Sequence, residues 1–392
     1  MSNKNQYEEL GVSSDKKEVH AATKTLDKGL FPNAFCKIFP DVLTNSEKHC
    51  LIAHADGVGT KASLAYIYWK LTGDIGVFRN LAIDAIVMNI DDMICVGAVG
   101  PYTFTQTIDR NSFTIPGEVI QAIIEGTKDF FKKMKQYDID ITYNGGETAD
   151  VNDLVRTLTV NASMQARMLR KDVINTTIKP GNVIVGLSSS GQAVYEDEYN
   201  SGIGSNGLTM ARHKLLPPMH RHFDQESYEP LLKEKAYTGR FKLNTTVDDV
   251  SEMTIGKAML SPTRTYAPLI KQLLGKFSKK DISALVHCSG GGQTKCLGFA
   301  EGVHIIKDNL FDTPPLFSLI QEESSEDWKN MYKTFNMGSR FEIYCNNQDV
   351  VDWIIHAGKN YGIEAQIIGR VEASDETKLT IKSPHGEFVY TK

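Results

Sequence analysis

The segment from Asp56 to Lys61, which reads Asp-Gly-Val-Gly-Thr-Lys, constrains this chain more than any other part of it. A short apolar run, Leu51-Ile52-Ala53, precedes it, so the pattern predicts a strand that ends in a glycine-rich loop. Glycines let a backbone approach phosphate oxygens and donate N–H groups to them, a lysine neutralises their charge, and a carboxylate holds Mg²⁺. The two glycines stand too close together for a Walker A loop. The segment therefore predicts a phosphate-and-metal loop of another kind, although a plain tight turn has the same composition.

Three further apolar runs of strand length end in small polar residues. They are Ile139 to Tyr143 before Asn144, Val183 to Leu187 before Ser188, and Ile282 to Val286 before His287. In addition, Ser205-Asn206-Gly207 stands at the start of a predicted helix. Junctions of this type expose backbone N–H groups, and the positive end of a following helix attracts anions. So many in one chain favour a ligand with several phosphates, whereas any single one could equally be a glycine that ends a strand.

The length of 392 residues exceeds one ordinary hydrophobic core, so two domains are expected. A formal net charge of -5 and the lack of a basic tract argue against nucleic acid as a partner. No apolar stretch approaches the roughly 18 residues of a membrane span, and the first residues lack the apolar core of a secretion signal. The six cysteines have no CxxC spacing, which argues against structural zinc and for a reducing compartment. We therefore expect a cytoplasmic protein without a membrane partner.

Strand and helix patterns alternate along the first part of the chain. Strands are predicted at 51–55, 102–108, 139–143 and 155–167, and helices at about 60–71, 82–98 and 117–136. A turn at Lys179-Pro180-Gly181 marks a boundary, after which a second alternation begins. We predict domains at 1–172 and 173–392. The second domain should carry an acidic loop at 192–204 and a mobile, lid-like insertion at 219–250.

The predicted helix 82–98 carries three acids beside an apolar stripe. Asp84 and Asp91 lie seven residues apart and so share nearly one line along the helix, with Asp92 around the side. The helix has no lysine or arginine to pair with them. Because unpaired carboxylates at the edge of an apolar stripe are expensive, a cation-binding role is favoured over a solvated face.

Taken together, these motifs resemble the phosphoribosylformylglycinamidine cyclo-ligase (AIR synthetase) family of the PurM-like ATP-dependent superfamily. The similarity runs from about residue 51 to residue 371. The matching positions, in family order, are Asp56 to Lys61, Ile83-Asp84, Asp92, Gly97-Ala98, Gly145 to Ala149, Ser189 to Gly191, Ser205 to Gly207, Pro262 to Arg264 with Tyr266, His287, Gly290 to Gly292, Met331-Tyr332, Thr334 to Asn336 and Gly338. So many motifs in order are specific to the superfamily and fairly specific to this family.

The resemblance implies an α/β (α+β) fold with two PurM-like domains. The N-terminal domain would bind ATP and metal and pair its mixed sheet across a homodimer axis, and the C-terminal α/β domain would bind the nucleotide substrate. The implied enzyme is an ATP-dependent ligase of purine biosynthesis that uses Mg²⁺. ATP phosphorylates the formyl amide oxygen of formylglycinamidine ribonucleotide, an amidine nitrogen attacks, and phosphate leaves as the ring of aminoimidazole ribonucleotide closes.

Site residues carry over from the family by position. The implied metal ligands are Asp56, Asp84, Asp92 and Glu147. The implied nucleotide and phosphate contacts are Gly57, Gly59, Thr60, Lys61, Gly145, Gly146 and Thr148. The implied substrate contacts are Ser190, Ser205, Asn206, Gly207, Thr263, Arg264, Gly290, Gly291 and Gly292. The implied catalytic residues are Asp56, Lys61 and His287; an imidazole suits proton handling, and a structural role for His287 is left open.

The chain departs from the family pattern near the expected acceptor. The departures are Gly29 to Asn33, Gln293 to Cys296, and Asp91, which stands where the family has Asn. They leave the acceptor more open than the ATP chemistry, and the number of metal ions is open as well. Two alternatives remain at this point: another ATP-dependent phosphotransferase of the superfamily, similar to a small-molecule kinase, and a non-catalytic nucleotide-binding homologue.

Overall fold

The computed structural model describes residues 6–12, 17–247 and 253–392. Two short helices, α1 (Gln6–Glu9) and α2 (Lys17–Thr23), precede the first sheet. α1 reaches the second half of the chain, where the Gln6 backbone N–H donates to Glu326 Oε2 at 2.8 Å. The amino-terminal segment therefore ties the two halves together.

Five strands form the first sheet, in the order β1-β2-β5-β3-β4. They are β1 (Ile38–Asp41), β2 (Ser46–Gly57), β3 (Tyr102–Arg110), β4 (Ile141–Asp150) and β5 (Leu158–Leu169). β3 and β4 pair in parallel, whereas the other neighbours are antiparallel. The four strands predicted for the first part of the chain all lie in this sheet, and its mixed pairing confirms the predicted fold class.

Three helices cover one face of the first sheet: α3 (Lys61–Thr72), α4 (Gly76–Ile94) and α5 (Gly117–Lys135). α4 lies directly on β2 and β5. It begins six residues before the predicted start at residue 82, because Val77, Phe78 and Leu81 extend its buried stripe. Burial alternates along β5, so every second residue of that strand, such as Asn161, faces away from the helices.

Seven strands form the second sheet, in the order β12-β11-β8-β10-β6-β9-β7. They are β6 (Val183–Ser188), β7 (Ile282–His287), β8 (Val303–Lys307), β9 (Ser339–Cys345), β10 (Ala365–Ala373), β11 (Lys378–Ser383) and β12 (Gly386–Thr391). The helices of this domain are α6 (Leu208–Leu215), α7 (His220–Phe223), α8 (Ile255–Leu260), α9 (Ala267–Lys276), α10 (Pro315–Ser324), α11 (Trp328–Thr334) and α12 (Gln348–Tyr361). Every residue of β7 and β9 is buried, so both faces of this sheet are covered there. In the described parts of the chain, no helix is both long and apolar enough to cross a bilayer.

α4 lies between the two domains. One face of this helix packs on the first sheet, and the helix also contacts α8, α9 and β7 of the second domain. Because α4 is buried along most of its length, the polar side chains on it need partners inside the protein. A site between the domains is therefore built on this helix.

The polar segment 219–247 is anchored to the protein at its buried residues, and its role as a mobile lid stays a prediction. Tyr237 is fully buried, and its hydroxyl lies 2.6 Å from Ser227 Oγ and 2.7 Å from Arg212 Nη1. These side chains bond to one another inside the protein, whereas other polar side chains of the segment, such as Lys233 and Glu234, are exposed. Positions 248–250 of the predicted lid lie outside the described residues.

Candidate active site

The Asp84 carboxylate on α4 collects hydrogen bonds from both domains. Its Oδ1 accepts from Lys61 Nζ at 2.8 Å and from the Ser205 hydroxyl at 3.0 Å. It also accepts from the Thr263 backbone N–H at 2.8 Å and from the Thr263 hydroxyl at 2.6 Å. Asp84 thus joins the first-domain lysine to two loops of the second domain.

Lys61 enters the domain junction directly from the glycine-rich loop. Besides Asp84, its ammonium donates to the Ser261 carbonyl at 2.5 Å and to the Gly204 carbonyl at 3.3 Å. Burial lowers the pKa of Lys61, and the charge of Asp84 opposes that shift. All three ammonium protons are therefore engaged inside the protein, so the predicted phosphate contact of Lys61 stays a prediction.

Asp92 lies between two histidines. His287 Nδ1 is 2.7 Å from Asp92 Oδ1, and His54 Nε2 is 3.2 Å from Asp92 Oδ2. Burial by itself raises the pKa of Asp92, but the hydrogen bonds with His287 and His54 outweigh it and hold the pKa below its ordinary value. The second nitrogen of His54 contacts Asn89 Oδ1 at 3.0 Å.

His287 is held in the neutral form inside the protein. Burial lowers the pKa of His287 to about 4, although Asp92 pulls it upward, so the ring is neutral near pH 7. A neutral ring that donates Nδ1–H to Asp92 keeps its lone pair on Nε2. That Nε2 atom is buried and has no hydrogen-bond partner among the described residues.

Asp91 anchors the start of α9 to α4. Its Oδ1 accepts a hydrogen bond from the Thr265 hydroxyl at 2.6 Å, and its Oδ2 accepts from the Tyr266 N–H at 3.2 Å. Burial raises the pKa of Asp91 to about 8, against the hydrogen bond from Thr265. Asp84, Asp91 and Asp92 therefore all have partners, which come from other elements. The sequence argument that these acids are unpaired was wrong.

Arg264 is held by the acidic loop. Its Nε and Nη2 donate to Glu196 Oε1 and Oε2 at 3.0 and 2.6 Å, and Nη1 donates to the carbonyls of Ser190 and Ser188 at 2.8 and 3.2 Å. Both partners of the ion pair are buried, with 1% and 9% of their side chains exposed. In this arrangement Arg264 fixes the loop, and its substrate contact stays a prediction.

Three consecutive acids of the acidic loop form ion pairs with three different parts of the chain. Besides Glu196, Asp197 pairs with Lys133 of α5 at 2.8 Å, and Glu198 lies 3.8 Å from Lys257 of α8. Behind the loop is a cavity of about 410 Å³, bounded also by the first half of α4. This cavity reaches the segment 261–265 and therefore adjoins the Asp84 cluster.

The Gln293 side chain links its own segment to the 336–339 segment of the second domain. Its Nε2 donates to the carbonyls of Asn336 and Ser339 at 2.6 and 2.7 Å. Lys307 Nζ donates to the Gln293 carbonyl at 2.8 Å and forms a buried ion pair with Glu342. The segment that follows the triple glycine is thus hydrogen-bonded to the 336–339 segment and to Lys307.

The predicted substrate loops meet at the junction. The Thr60 hydroxyl is 2.8 Å from the Thr209 hydroxyl, just after Gly207, which links the glycine-rich loop to the second domain. Gly290 lies beside Asn206, since a Cβ on Gly290 would be 3.7 Å from Asn206 Nδ2. Of the predicted contacts, the structure therefore brings Thr60 of the first domain close to the 205–207 loop of the second domain, and Gly290 close to Asn206.

Asp56 and Glu147 lie on different strands of the first sheet. Asp56 on β2 pairs with Ala162 of β5, which pairs with Gln106 of β3, which pairs with Gly146 of β4. Neighbouring strands are about 4.8 Å apart, so Glu147 lies on a strand about 14 Å from β2. Glu147 and its neighbours Gly145, Gly146 and Thr148 therefore stand apart from the junction.

The four predicted metal ligands do not converge within one chain. Among the described residues, no group of three or more His, Cys, Asp and Glu side chains could hold a metal ion. Both oxygens of Asp92 face histidines, whereas Asp84 Oδ2 is buried without a described partner. Mg²⁺ that is bound with phosphates needs only one or two carboxylates, a role that Asp84 Oδ2 fits. The four-acid site stays a prediction.

Buried polar atoms without a hydrogen-bond partner are concentrated at this junction. Of ten such side-chain atoms among the described residues, five belong to α4 or to the loops and strand ends that face it. They are Asp84 Oδ2, Asn206 Oδ1, His287 Nε2, Ser339 Oγ and Arg340 Nε. Because buried polar atoms are normally paired, this concentration makes the junction the candidate site for a polar ligand.

Sequence reasoning missed three side chains of the site: His54, Glu196 and Arg340. His54 lies two residues before Asp56 on the same strand, so the alternation of a strand already placed both on one face. Arg340 interrupts the apolar strand β9, which was a readable sign of a special position. Glu196 gave no local signal, because its partner Arg264 is 68 residues away.

Comparison with known proteins gives matches to both domains. The family model for the N-terminal domain of AIR synthase related proteins matches residues 39–168, and the model for the C-terminal domain matches residues 179–382. A phosphoribosylformylglycinamidine cyclo-ligase of Methanocaldococcus jannaschii is 31% identical over 331 residues, which cover 83% of this chain and 79% of the relative. A cyclo-ligase of Methanococcus vannielii is 29% identical with the same coverage. A solved HypE-HypF complex has a similar fold, with a TM-score of 0.56, 16% identity, and 96% and 98% of the two chains covered.

Proposed function

The chain belongs to the family of AIR synthase related proteins, and we propose that it cyclises formylglycinamidine ribonucleotide to aminoimidazole ribonucleotide with ATP, releasing ADP and phosphate. The observation that carries this proposal is the cluster of buried polar atoms without partners at the junction of the two matched domains. The names of the cyclo-ligases that are 31% and 29% identical support the choice of reaction.

The first step transfers a phosphoryl group to the substrate. The formyl amide oxygen attacks the terminal phosphorus of ATP, an O–P bond forms, and the bond from phosphorus to the ADP oxygen breaks. The ammonium of Lys61 lies at the junction, and its charge, together with the backbone of Gly57 and Gly59 in the loop that precedes it, would stabilise the charge on the transferring group. Mg²⁺ bound with ATP would screen the triphosphate, with Asp84 Oδ2 and Asp56 as the oxygens that we propose to hold it.

The second step closes the ring and needs a base. The amidine nitrogen attacks the activated formyl carbon, a C–N bond forms, and the C–O bond to phosphate breaks. His287 Nε2 takes the proton that the nitrogen loses, because Asp92 holds the other ring nitrogen at 2.7 Å and the ring is neutral near pH 7. The anchored acidic loop would help to keep water from the activated intermediate.

We also propose that two copies of the chain pair through their first sheets. β4 is an edge strand with mostly exposed or half-exposed residues, and the face of β5 that is turned away from the helices carries Asn161 and Arg167. A partner there would cover this edge and could bring its own Glu147 towards a second chain. Light scattering on the purified protein should give twice 43.6 kDa, and a mass of one chain at micromolar concentration would contradict pairing.

The reaction is tested with substrate that carries ¹⁸O in the formyl amide. Purified full-length chain, ATP and MgCl₂ should yield ADP and aminoimidazole ribonucleotide in equal amounts, with the label in the released phosphate. Unlabelled phosphate would refute the phosphoryl-transfer step. ATP turnover only with another acceptor would indicate a kinase-like phosphotransferase, and nucleotide binding without any turnover would indicate a non-catalytic homologue.

A further inference from the structure

Arg340, on β9, is a buried cation that makes no direct ion pair with a described carboxylate, although it interacts electrostatically with Asp91 at longer range. Only 1% of the residue is exposed, and Nε has no hydrogen-bond partner among the described residues. Nη2 contacts the sulfur of Met88 at 3.3 Å. Within the described residues, no carboxylate lies at ion-pair distance from this guanidinium. A buried charge without a counterion is strongly unfavourable, so this position calls for an anion.

The surroundings of Arg340 belong to the junction. Met88 stands on α4 between Asp84 and Asp92, four residues from each, which is about 6 Å along the helix in both directions. The guanidinium packs on Gly204, where a Cβ would come within 2.0 Å of Nη1. Gly204 also has a φ of 68°. Both the close contact with Arg340 and this left-handed backbone conformation therefore favour glycine at position 204.

A second cation lies on the other side of Gly204. Lys61 Nζ contacts the Gly204 carbonyl at 3.3 Å, so Lys61 and Arg340 flank one backbone position. Unlike Lys61, which forms an ion pair with Asp84, Arg340 forms no ion pair among the described residues, and its Nε donor has no partner there. Asn206 and Ser339, which also carry unpartnered buried oxygens, lie two and one residues from Gly204 and Arg340 along the chain.

We propose that Arg340 binds a phosphoryl group of one of the two phosphorylated ligands, a role that rests on the function proposed above. The planar guanidinium presents two parallel donors that match two oxygens of a phosphoryl group, and the low-dielectric junction strengthens such a pair. The group is either a phosphate of the nucleotide or the 5-phosphate of the ribose. Binding requires the 202–207 loop, which covers the guanidinium through Gly204, to move.

The test separates ligand binding from folding. Arg340→Met and Arg340→Lys are compared with the wild-type chain by thermal unfolding and by calorimetric titration with a non-hydrolysable ATP analogue plus MgCl₂, and separately with ribose 5-phosphate. Arg340→Met should unfold at the wild-type temperature or higher without ligand, because it removes an unbalanced buried charge. It should bind one of the two ligands at least tenfold more weakly, and the affected ligand identifies the source of the phosphoryl group. Arg340→Lys should lose at least fivefold for the same ligand and carries the test if the Met variant fails to fold.

Arg212→Met is the matched control. Arg212 is likewise buried, with no ion pair among the described residues and an unpartnered Nε, but its Nη1 donates to the Ser227 carbonyl and to the Tyr237 hydroxyl outside the site, so its removal breaks hydrogen bonds that Arg340 does not make. Arg212→Met should lower the unfolding temperature and leave both affinities within twofold. If the Arg340 variants behave like this control, or if the wild-type chain binds neither ligand, the proposal is overturned. Binding that depends on Arg340 in a chain that forms no aminoimidazole ribonucleotide would refute the proposed function alone.

Discussion

At the scale of single residues, Glu196 and Glu198 make the same kind of ion pair in very different surroundings. Glu196 grips the buried Arg264, whereas Glu198 lies 3.8 Å from an exposed lysine. We expect Glu196→Gln to lower the free energy of unfolding by about 3 kcal/mol, because it leaves a buried guanidinium without a counterion. Glu198→Gln, two residues away, should change it by less than about 0.5 kcal/mol. Urea denaturation measures both, and equal effects would show that the acidic loop is not anchored through Arg264.

A buried histidine makes the stability depend on pH. Burial, helped by the charge of Arg212, lowers the pKa of His213 to about 2. Below its ordinary pKa of about 6.5 the unfolded chain binds a proton that the folded chain refuses, so stability is present above that pH and is lost as the pH falls.

The His213→Asn variant tests this dependence, since Asn keeps an acceptor near the position of Nδ1, which accepts from the Tyr237 N–H. Between pH 6.5 and pH 5 the wild-type free energy of unfolding should fall about 1 kcal/mol per pH unit more steeply than that of the variant. His222→Asn, at an exposed histidine on the neighbouring helix α7, should keep the wild-type dependence of the free energy of unfolding on pH. Parallel curves for wild type and His213→Asn would contradict the account.

At the scale of elements, the close packing of α4 and α5 depends on one glycine. A Cβ on Gly126 would lie 2.5 Å from the Arg79 carbonyl of α4, and this neighbour is backbone that cannot turn aside. Gly126→Ala should therefore lower the free energy of unfolding by about 2 kcal/mol, despite the better helix propensity of alanine. Gly117→Ala, in the first turn of the same helix with open space around it, should be neutral or stabilising. Calorimetric unfolding that treats the two variants alike would refute the packing argument.

The helices and strands were readable because their buried faces follow local periodicity. α5 was predicted at 117–136 and occupies Gly117–Lys135. The partners of the α4 acids were not readable, because Asp84 meets Thr263, 179 residues away, and periodicity contains no information about such pairs. The segment 219–247 combines exposed polar side chains with a buried polar group around Tyr237, and composition alone does not distinguish the two.

At the scale of the whole molecule, two domains share α4, and the site lies where they meet. Lys61 from the first domain contacts carbonyls of the second, and α1 crosses to Glu326. The candidate site thus depends on the domains being docked, because Lys61 and His287, which are far apart in the sequence, both contact acids of α4. Glu147 remains on β4, at the far edge of the first sheet and apart from this junction.

A crystal structure of the full chain with a non-hydrolysable ATP analogue and Mg²⁺ tests the location of the site most directly. We predict that the phosphates lie at the domain junction beside α4 and that Asp84 Oδ2 and Asn206 Oδ1, now buried without partners, gain a ligand, metal or ordered water. A nucleotide bound elsewhere, for example only in the cavity behind the acidic loop, with these atoms still unpartnered, would contradict the account.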